Sequence, residues 1–225
     1  RDIARVTDHV VQSVVDVVRA DGWEHVTTSQ GVTVWRNLLA VAGGGADGPQ
    51  FACIKAAAVI DAPVDVVYRL FADNDRVHEY NEHCRELCDL EVLDSRTKIT
   101  WAASGRMGPF KARDFCSLVH IRRLGDGTLA QVSRPARHRA APCTDRYVRS
   151  EVLLAGNFMR PLPSDSSKTE FLSLTHLNPG GAAESRAGAM LVNNLAVNGP
   201  VTFVRRLEVA AQRLLEEEQR DGRRS

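Results

Sequence analysis

Residues 187–218 carry apolar side chains along one helical side. Val192, Ala196, Pro200, Phe203, Leu207, Ala211 and Leu214 recur at spacings of three and four, while Arg205, Arg206, Arg213, Glu216, Glu217 and Glu218 fall elsewhere. A long helix patterned this way is stable only against an apolar surface, so the rest of the chain has to supply one. Pro200 has no N–H and crowds the preceding turn, so a kink or break is expected there. The matching surface lies in the middle of the chain. Thr97–Ser104 and residues 114–123 read as paired strands joined by Gly105-Arg106-Met107-Gly108-Pro109-Phe110-Lys111.

The remaining elements surround these two. Residues 2–20 place Ile3, Val6, Val10, Val14 and Val17 on one helical face, and Asp21-Gly22 ends that helix. Residues 23–28 and 32–36 read as strands with Ser29-Gln30-Gly31 as their turn. Residues 39–48 read as a loop ending in Gly43-Gly44-Gly45, which lacks the Lys-Ser/Thr of a phosphate-cradling loop. A strand follows at 51–60. Asp61-Ala62-Pro63 opens a helix over Val64–Ala72, and 73–80 reads as a second short one. Further strands are expected at 85–93, 128–133, 145–156 and 168–177, with turns at Gly125-Asp126-Gly127 and Asn178-Pro179-Gly180-Gly181. Strands in the middle and helices at the ends give an α+β fold with an antiparallel sheet of about nine strands. No linker or repeat divides the chain. One domain over 1–225 is expected, with an N-terminal helix at 1–20, a sheet with a short helical insert at 23–177, and a C-terminal lid helix at 187–219.

Composition narrows the function. Net charge is +1, so no global field draws nucleic acid. No run of about 18 apolar residues exists to span a membrane, and the first 21 residues mix charge with Val, unlike a signal peptide. Since the first residue is Arg, a longer parent chain is expected. The five cysteines, at 53, 84, 88, 116 and 143, resemble no disulfide framework and read as reduced thiols of a cytoplasmic protein. Cys53 and Cys116 fall in strands and read as small buried residues.

Several stretches in this order resemble the START family of steroidogenic-acute-regulatory-related lipid-transfer domains. They are Gly22-Trp23-Glu24 with Gly31-Val32-Thr33-Val34-Trp35-Arg36; residues 55–60 with Ala62-Pro63-Val64-Asp65-Val66-Val67-Tyr68; Arg113-Asp114-Phe115; Tyr147-Val148-Arg149-Ser150-Glu151; and Asn178-Pro179-Gly180-Gly181. The resemblance covers nearly the whole chain. It implies a helix-grip fold, in which a curved antiparallel sheet wraps the long C-terminal helix around an internal hydrophobic cavity holding one sterol or phospholipid. It also implies an entrance formed by the 105–111 loop and the terminal helix, with Met107 and Phe110 touching membrane or ligand. Sterol-binding members keep a buried acid–Arg pair across the two strands flanking this loop. The matching positions here are Ala102 and Val119, both apolar. Tyr80-Asn81 stands where the family often has Trp-Asp, and Asn178 where an Asp is expected.

If Ala102 and Val119 face the lumen, alternation puts Thr100, Ser117 and Ile121 on the same side. With Val152, Phe203 and Leu207 they make an apolar wall carrying a few hydroxyls, or alternatively an ordinary core. No catalytic residue, metal ligand or cofactor is expected. His78, His83, Cys84 and Cys88 match no zinc spacing, and no Gly-x-Ser-x-Gly elbow is present. Arg113-Asp114 reads as a structural pair or turn. His176 reads as a core or edge histidine, or as an acid/base group facing the lumen. The basic run Arg134, Arg137, His138, Arg139, Arg146 and Arg149 reads as a solvated face or as an attraction to anionic headgroups, and nucleic acid is not an expected partner. The leading expectation is a non-enzymatic, cytoplasmic lipid carrier or sensor that associates transiently with membranes. A polyketide cyclase or aromatase on the same architecture and a non-binding interaction module remain alternatives.

Overall fold

A computed structural model describes residues 3–40, 50–106, 108–197 and 199–222. Nine strands among them form one sheet. They are β1 (Glu24–Ser29), β2 (Val32–Ala40), β3 (Gln50–Ile60), β4 (Cys84–Asp94), β5 (Thr97–Ser104), β6 (Arg113–Arg123), β7 (Leu129–Pro135), β8 (Val148–Leu162) and β9 (Asp165–Asn178). Their order is β1-β2-β3-β9-β8-β7-β6-β5-β4, with every adjacent pair antiparallel. A short parallel pairing of β6 with β8 is added at Arg113–Phe115. The described residues also form five α-helices, α1 (Ile3–Arg19), α2 (Val64–Ala72), α3 (Val77–Tyr80), α4 (Arg186–Ala196) and α5 (Gly199–Gly222). The first hairpin shows why the register holds. Ser29 pairs with Val32, leaving Gln30 (φ 49°) and Gly31 (φ 72°) as a two-residue loop with both residues left-handed, the turn whose twist suits a β-hairpin.

The sheet buries both faces. On one side α1 packs Val10, Val11 and Val14 against Cys53, Val132 and Leu174. Contact is closest at Gly156, where a Cβ would come within 2.6 Å of Val14 Cγ1. Lys55 closes the far end of α1 by donating to the Val18 carbonyl at 3.3 Å, where a cation complements the helix dipole, and its ammonium lies 4.1 Å from the Trp23 ring centre. On the other side α2, α3 and α5 share a core with β2 and β3 that includes Val34, Ile54, Ile60, Leu70, Val204 and Leu207.

Three expectations change in detail. The terminal segment is two helices, α4 ending at Ala196 and α5 starting at Gly199, with Pro200 in the first turn of α5, where a missing N–H leaves no intrahelical bond unmade. β2 runs on to Ala40 where a loop is read from the sequence, while Gly43, Gly44 and Gly45 lie outside the described residues. β8 and β9 are longer than expected, meeting at a tight hairpin where Leu162 pairs with Asp165. Gly156, Asn157 and Pro161 look like the end of a strand. Here Gly156 makes room for α1, Asn157 faces the concave side, and Pro161 sits near the hairpin tip.

Candidate functional site

A cavity of about 560 Å³ lies between the sheet and the α4–α5 segment. Its walls come from β3, β5, β6, β7, β8 and β9, from α4 and the start of α5, and from the loop before β6. Alternation along the strands decides what faces it. β6 presents Arg113, Phe115, Ser117 and Val119 to the cavity, while Asp114 and His120 point to the opposite face. β9 likewise presents Ser173, Thr175 and Leu177.

Of the positions expected to face a lumen, Thr100, Ala102, Ser117, Val119, Val152, Phe203 and the loop residue Phe110 all border this cavity. Met107 lies outside the described residues. Ile121 and Leu207 are not among the lining residues. Ile121 follows β6 beyond the cavity, to where its partner Gln131 donates to the Phe71 carbonyl of α2. Leu207 is fully buried one turn past Phe203, in the packed core beneath α5. Between these points an aromatic cluster closes the cavity. Phe203 meets Tyr80 edge-on at 5.8 Å, Tyr80 meets Phe71 at 5.3 Å, and Phe71 stacks on Phe171 at 6.0 Å.

The polar inventory is larger than expected. Ser133 on β7, Asn157 on β8, and Ser173 and Thr175 on β9 join Ser117 and Thr100 as neutral groups on the lining. Thr100 donates to the Ser117 carbonyl at 3.5 Å and Asn157 Nδ2 to Gln131 Oε1 at 3.3 Å. Serine and threonine inside strands leave no periodic signal that separates a lumen from a solvated face, so only the fold brings Ser133, Asn157, Ser173 and Thr175 into the site. At the mouth, Glu82 and Arg206 form a partly exposed ion pair at 2.8 Å.

Two readings of charged residues are corrected. Arg113 and Asp114 do not pair with each other, because neighbours on a strand point to opposite faces. Asp114 accepts from Arg149 Nε and Nη2, at 2.9 and 2.7 Å, and from Trp101 Nε1 at 2.9 Å. Burial by itself would raise the Asp114 carboxyl pKa. The bonds from Arg149 and Trp101 outweigh it and hold the group below its ordinary range. Arg113 lines the cavity instead, at 6% exposure. Nor does the basic run form one patch, since Arg149 is committed to Asp114, Arg146 pairs with Glu86 at 3.1 Å, and His138 lies 3.3 Å from Glu91.

His176 is turned away from the cavity. It stands between the lumen-facing Thr175 and Leu177 and is paired with Cys53 and Leu154 beside the α1 core. Burial pushes its imidazole below the usual histidine range, partly opposed by a hydrogen bond with the Phe51 backbone. His120, bonded to Thr97 at 2.9 Å, is lowered by burial and then by the nearby Arg122. Both groups have a folded pKa below the unfolded one. The unfolded chain therefore binds more protons as pH falls below about 6.5, and stability drops there. Thermal melts between about pH 7.5 and about pH 5.5 are expected to show a falling Tm, with a shallower slope in His176→Leu. A Tm independent of pH over that window would contradict these environments.

Burial pushes the Cys53 thiol up to about 12, so it is inert packing. All five cysteines are free thiols. Among the described residues, no group of three or more His, Cys, Asp or Glu side chains comes together to hold a metal ion, and no helix is long and apolar enough to cross a membrane.

A family model described as START domain matches residues 8–217. StAR-related lipid transfer protein 5 of Bos taurus is 27% identical over 180 residues, covering 79% of this chain and 83% of that protein. Among solved structures, human StAR-related lipid transfer protein 5 superposes with a TM-score of 0.81 at 17% identity, over 93% of this chain and 96% of that one. Human STARD10 superposes with a TM-score of 0.78 at 19% identity, over 95% and 82%.

Proposed function

The chain belongs to the START domain family, and on that premise we propose that it is a non-enzymatic lipid-binding domain, one unit over its length. It encloses a single amphiphile between the sheet and α4–α5, for transfer between membranes or for lipid sensing. The observation that carries this reading is the cavity itself, with apolar walls from Ala102, Val119, Val152 and Phe203 and neutral hydroxyls set among them. Such a lining gains about 25 cal/mol per Å² of apolar ligand surface removed from water, and the hydroxyls orient whatever polar group enters. The relatives named as lipid transfer proteins support the same reading.

Size selects among lipids. At 560 Å³ the space matches sites for one drug-sized molecule. Two sixteen-carbon chains would need on the order of 1,000 Å³ if each carbon takes roughly the liquid volume of a water, about 30 Å³. On the same scale one sixteen-carbon chain needs about 500 Å³ and a sterol about 800 Å³, so a single-chain amphiphile is favoured first, and a sterol before a two-chain phospholipid. Phe110 borders the cavity from the entrance loop, and α4, which also borders it, leaves Met190 (67% exposed) and Leu191 (41% exposed) on the surface, apolar groups suited to transient membrane contact by an otherwise cytoplasmic protein.

The cyclase alternative needs an acid/base group inside the cavity. His176 is on the far face; Glu82, His83 and Cys84 border the cavity at its exposed mouth, where Glu82 pairs with Arg206, and the deeper lining offers hydroxyls, amides and a guanidinium. The test is transfer of a fluorescent sterol from donor to acceptor vesicles. Transfer that accelerates in proportion to protein concentration, or sterol retained by the protein, is expected. Neither transfer nor retention of any lipid would overturn the reading.

A further inference from the structure

We propose that the amphiphile this cavity takes carries an anionic end group, a carboxylate, sulfate or phosphate monoester, held by Arg113. The inference rests on the lipid-binding reading and specifies its ligand. Arg113 borders the cavity at the first residue of β6 and is 6% exposed. Its Nε donates to the Pro179 carbonyl at 3.1 Å and its Nη1 to the Lys111 carbonyl at 2.5 Å, with the Phe110 ring centre 5.0 Å away. No carboxylate among the described residues pairs with it. The acid beside it in sequence, Asp114, lies on the opposite face and is taken by Arg149 and Trp101.

A buried guanidinium without a counter-charge is costly, and proteins rarely keep one unless something else supplies the charge. Burial lowers the Arg113 pKa, yet arginine keeps its proton at neutral pH. A purely structural role does not require the charge. Pro179 already receives the Ser150 hydroxyl at 2.7 Å, and neutral donors would tie the same turn. Arg113 uses two of its five N–H groups, and an anionic group can take a pair of those that remain.

The other polar lining cannot do this work. Ser117, Ser133 and Ser173 are neutral, and Ser117 lies about 13 Å along β6 from Arg113 at about 3.3 Å per residue. The ligand is thus held at two places, an anionic end near the entrance loop and a hydroxyl or carbonyl deeper in. Glu82 and Arg206 at the mouth neutralise each other and leave Arg113 as the net positive group of the lining.

The test compares hexadecanoic acid with its methyl ester as competitors of a neutral fluorescent sterol on the intact chain. The two differ in charge and little in bulk. The acid is expected to displace the probe at about tenfold lower concentration than the ester, a step one charge-assisted pair readily supplies. In Arg113→Gln the two competitors become equal, while Arg113→Lys keeps part of the preference. Equal displacement by acid and ester in the unmodified protein overturns this inference alone, and so does a preference that survives in Arg113→Gln. Failure of the protein to bind the sterol, the acid and the ester overturns the lipid-binding reading with it. If Arg113→Gln does not fold, the ratio in the unmodified protein and in Arg113→Lys still decides, because a structural strut would not favour acid over ester.

Discussion

Arg149→Met is expected to lower Tm by roughly 6–20 °C, from about 3–5 kcal/mol for breaking a buried ion pair and roughly 2–4 °C per kcal/mol at this chain length. The Asp114 side chain is 4% exposed, and Arg149 supplies two of its three hydrogen bonds. Removing the guanidinium leaves a buried carboxylate held by Trp101 alone. Arg149 also donates to the carbonyls of Ala141 and Pro142, so the loop leading into β8 loses its tether as well. The sign of the pH dependence follows from the lowered Asp114 pKa. The pair stabilises the fold above the unfolded carboxyl pKa, about 3.9, and that contribution is lost as pH falls through the lower folded value. In Arg149→Met this acid-side loss should be gone, because Asp114 no longer has its strongest partner. Differential scanning calorimetry at neutral and acid pH reads both effects. A Tm within about 2 °C of the parent would place the pair among ordinary surface ion pairs.

Ala102→Trp is expected to reduce lipid retention more than tenfold while leaving Tm unchanged or raised. Ala102 borders the cavity on β5, so an indole there enters empty space and buries apolar area where a ligand would. Most large-to-small changes in a packed core destabilise; filling a real cavity does the reverse. The control is Val92→Trp, on the edge strand β4 at a position 68% exposed, where binding should not change. Retention of lipid by Ala102→Trp at the parent level would place the ligand somewhere other than this cavity. A large drop in Tm would mean the space is filled core.

How much of this was legible in the sequence depends on the kind of signal. The amphipathic pattern of 192–214 and the apolar strand runs announce a sheet gripping a terminal helix, because each is a periodic constraint repeated many times. β5 was readable to its ends, since Asp94-Ser95-Arg96 and Ser104-Gly105 bound it with turn residues. The family resemblance points to Ala102 and Val119 as lumen positions, and alternation adds Thr100 and Ser117 in the same phase. Alternation stopped being enough where the cavity stops. Ile121 keeps the phase but lies past the closing cluster of Phe71, Tyr80, Phe171 and Phe203, whose rings come from separate parts of the chain. Arg113 and Asp114 show the opposite failure. Opposite charges side by side suggest a pair, yet a strand sends them to different environments. Their true surroundings, Pro179 and Lys111 for one and Arg149 and Trp101 for the other, are set by β6–β8 pairing and loop return. Ser133, Asn157 and Ser173 carried no sequence signal at all, because a hydroxyl inside a strand looks the same whether it faces solvent or a lumen.

Native mass spectrometry of the protein after incubation with mixed-lipid vesicles containing sterol, phospholipid and single-chain acids tests the central claim most directly. The account predicts a mass increment of one sterol or single-chain amphiphile per chain, lost in Ala102→Trp and kept in Val92→Trp. A protein that emerges from every lipid mixture at its bare mass would contradict it.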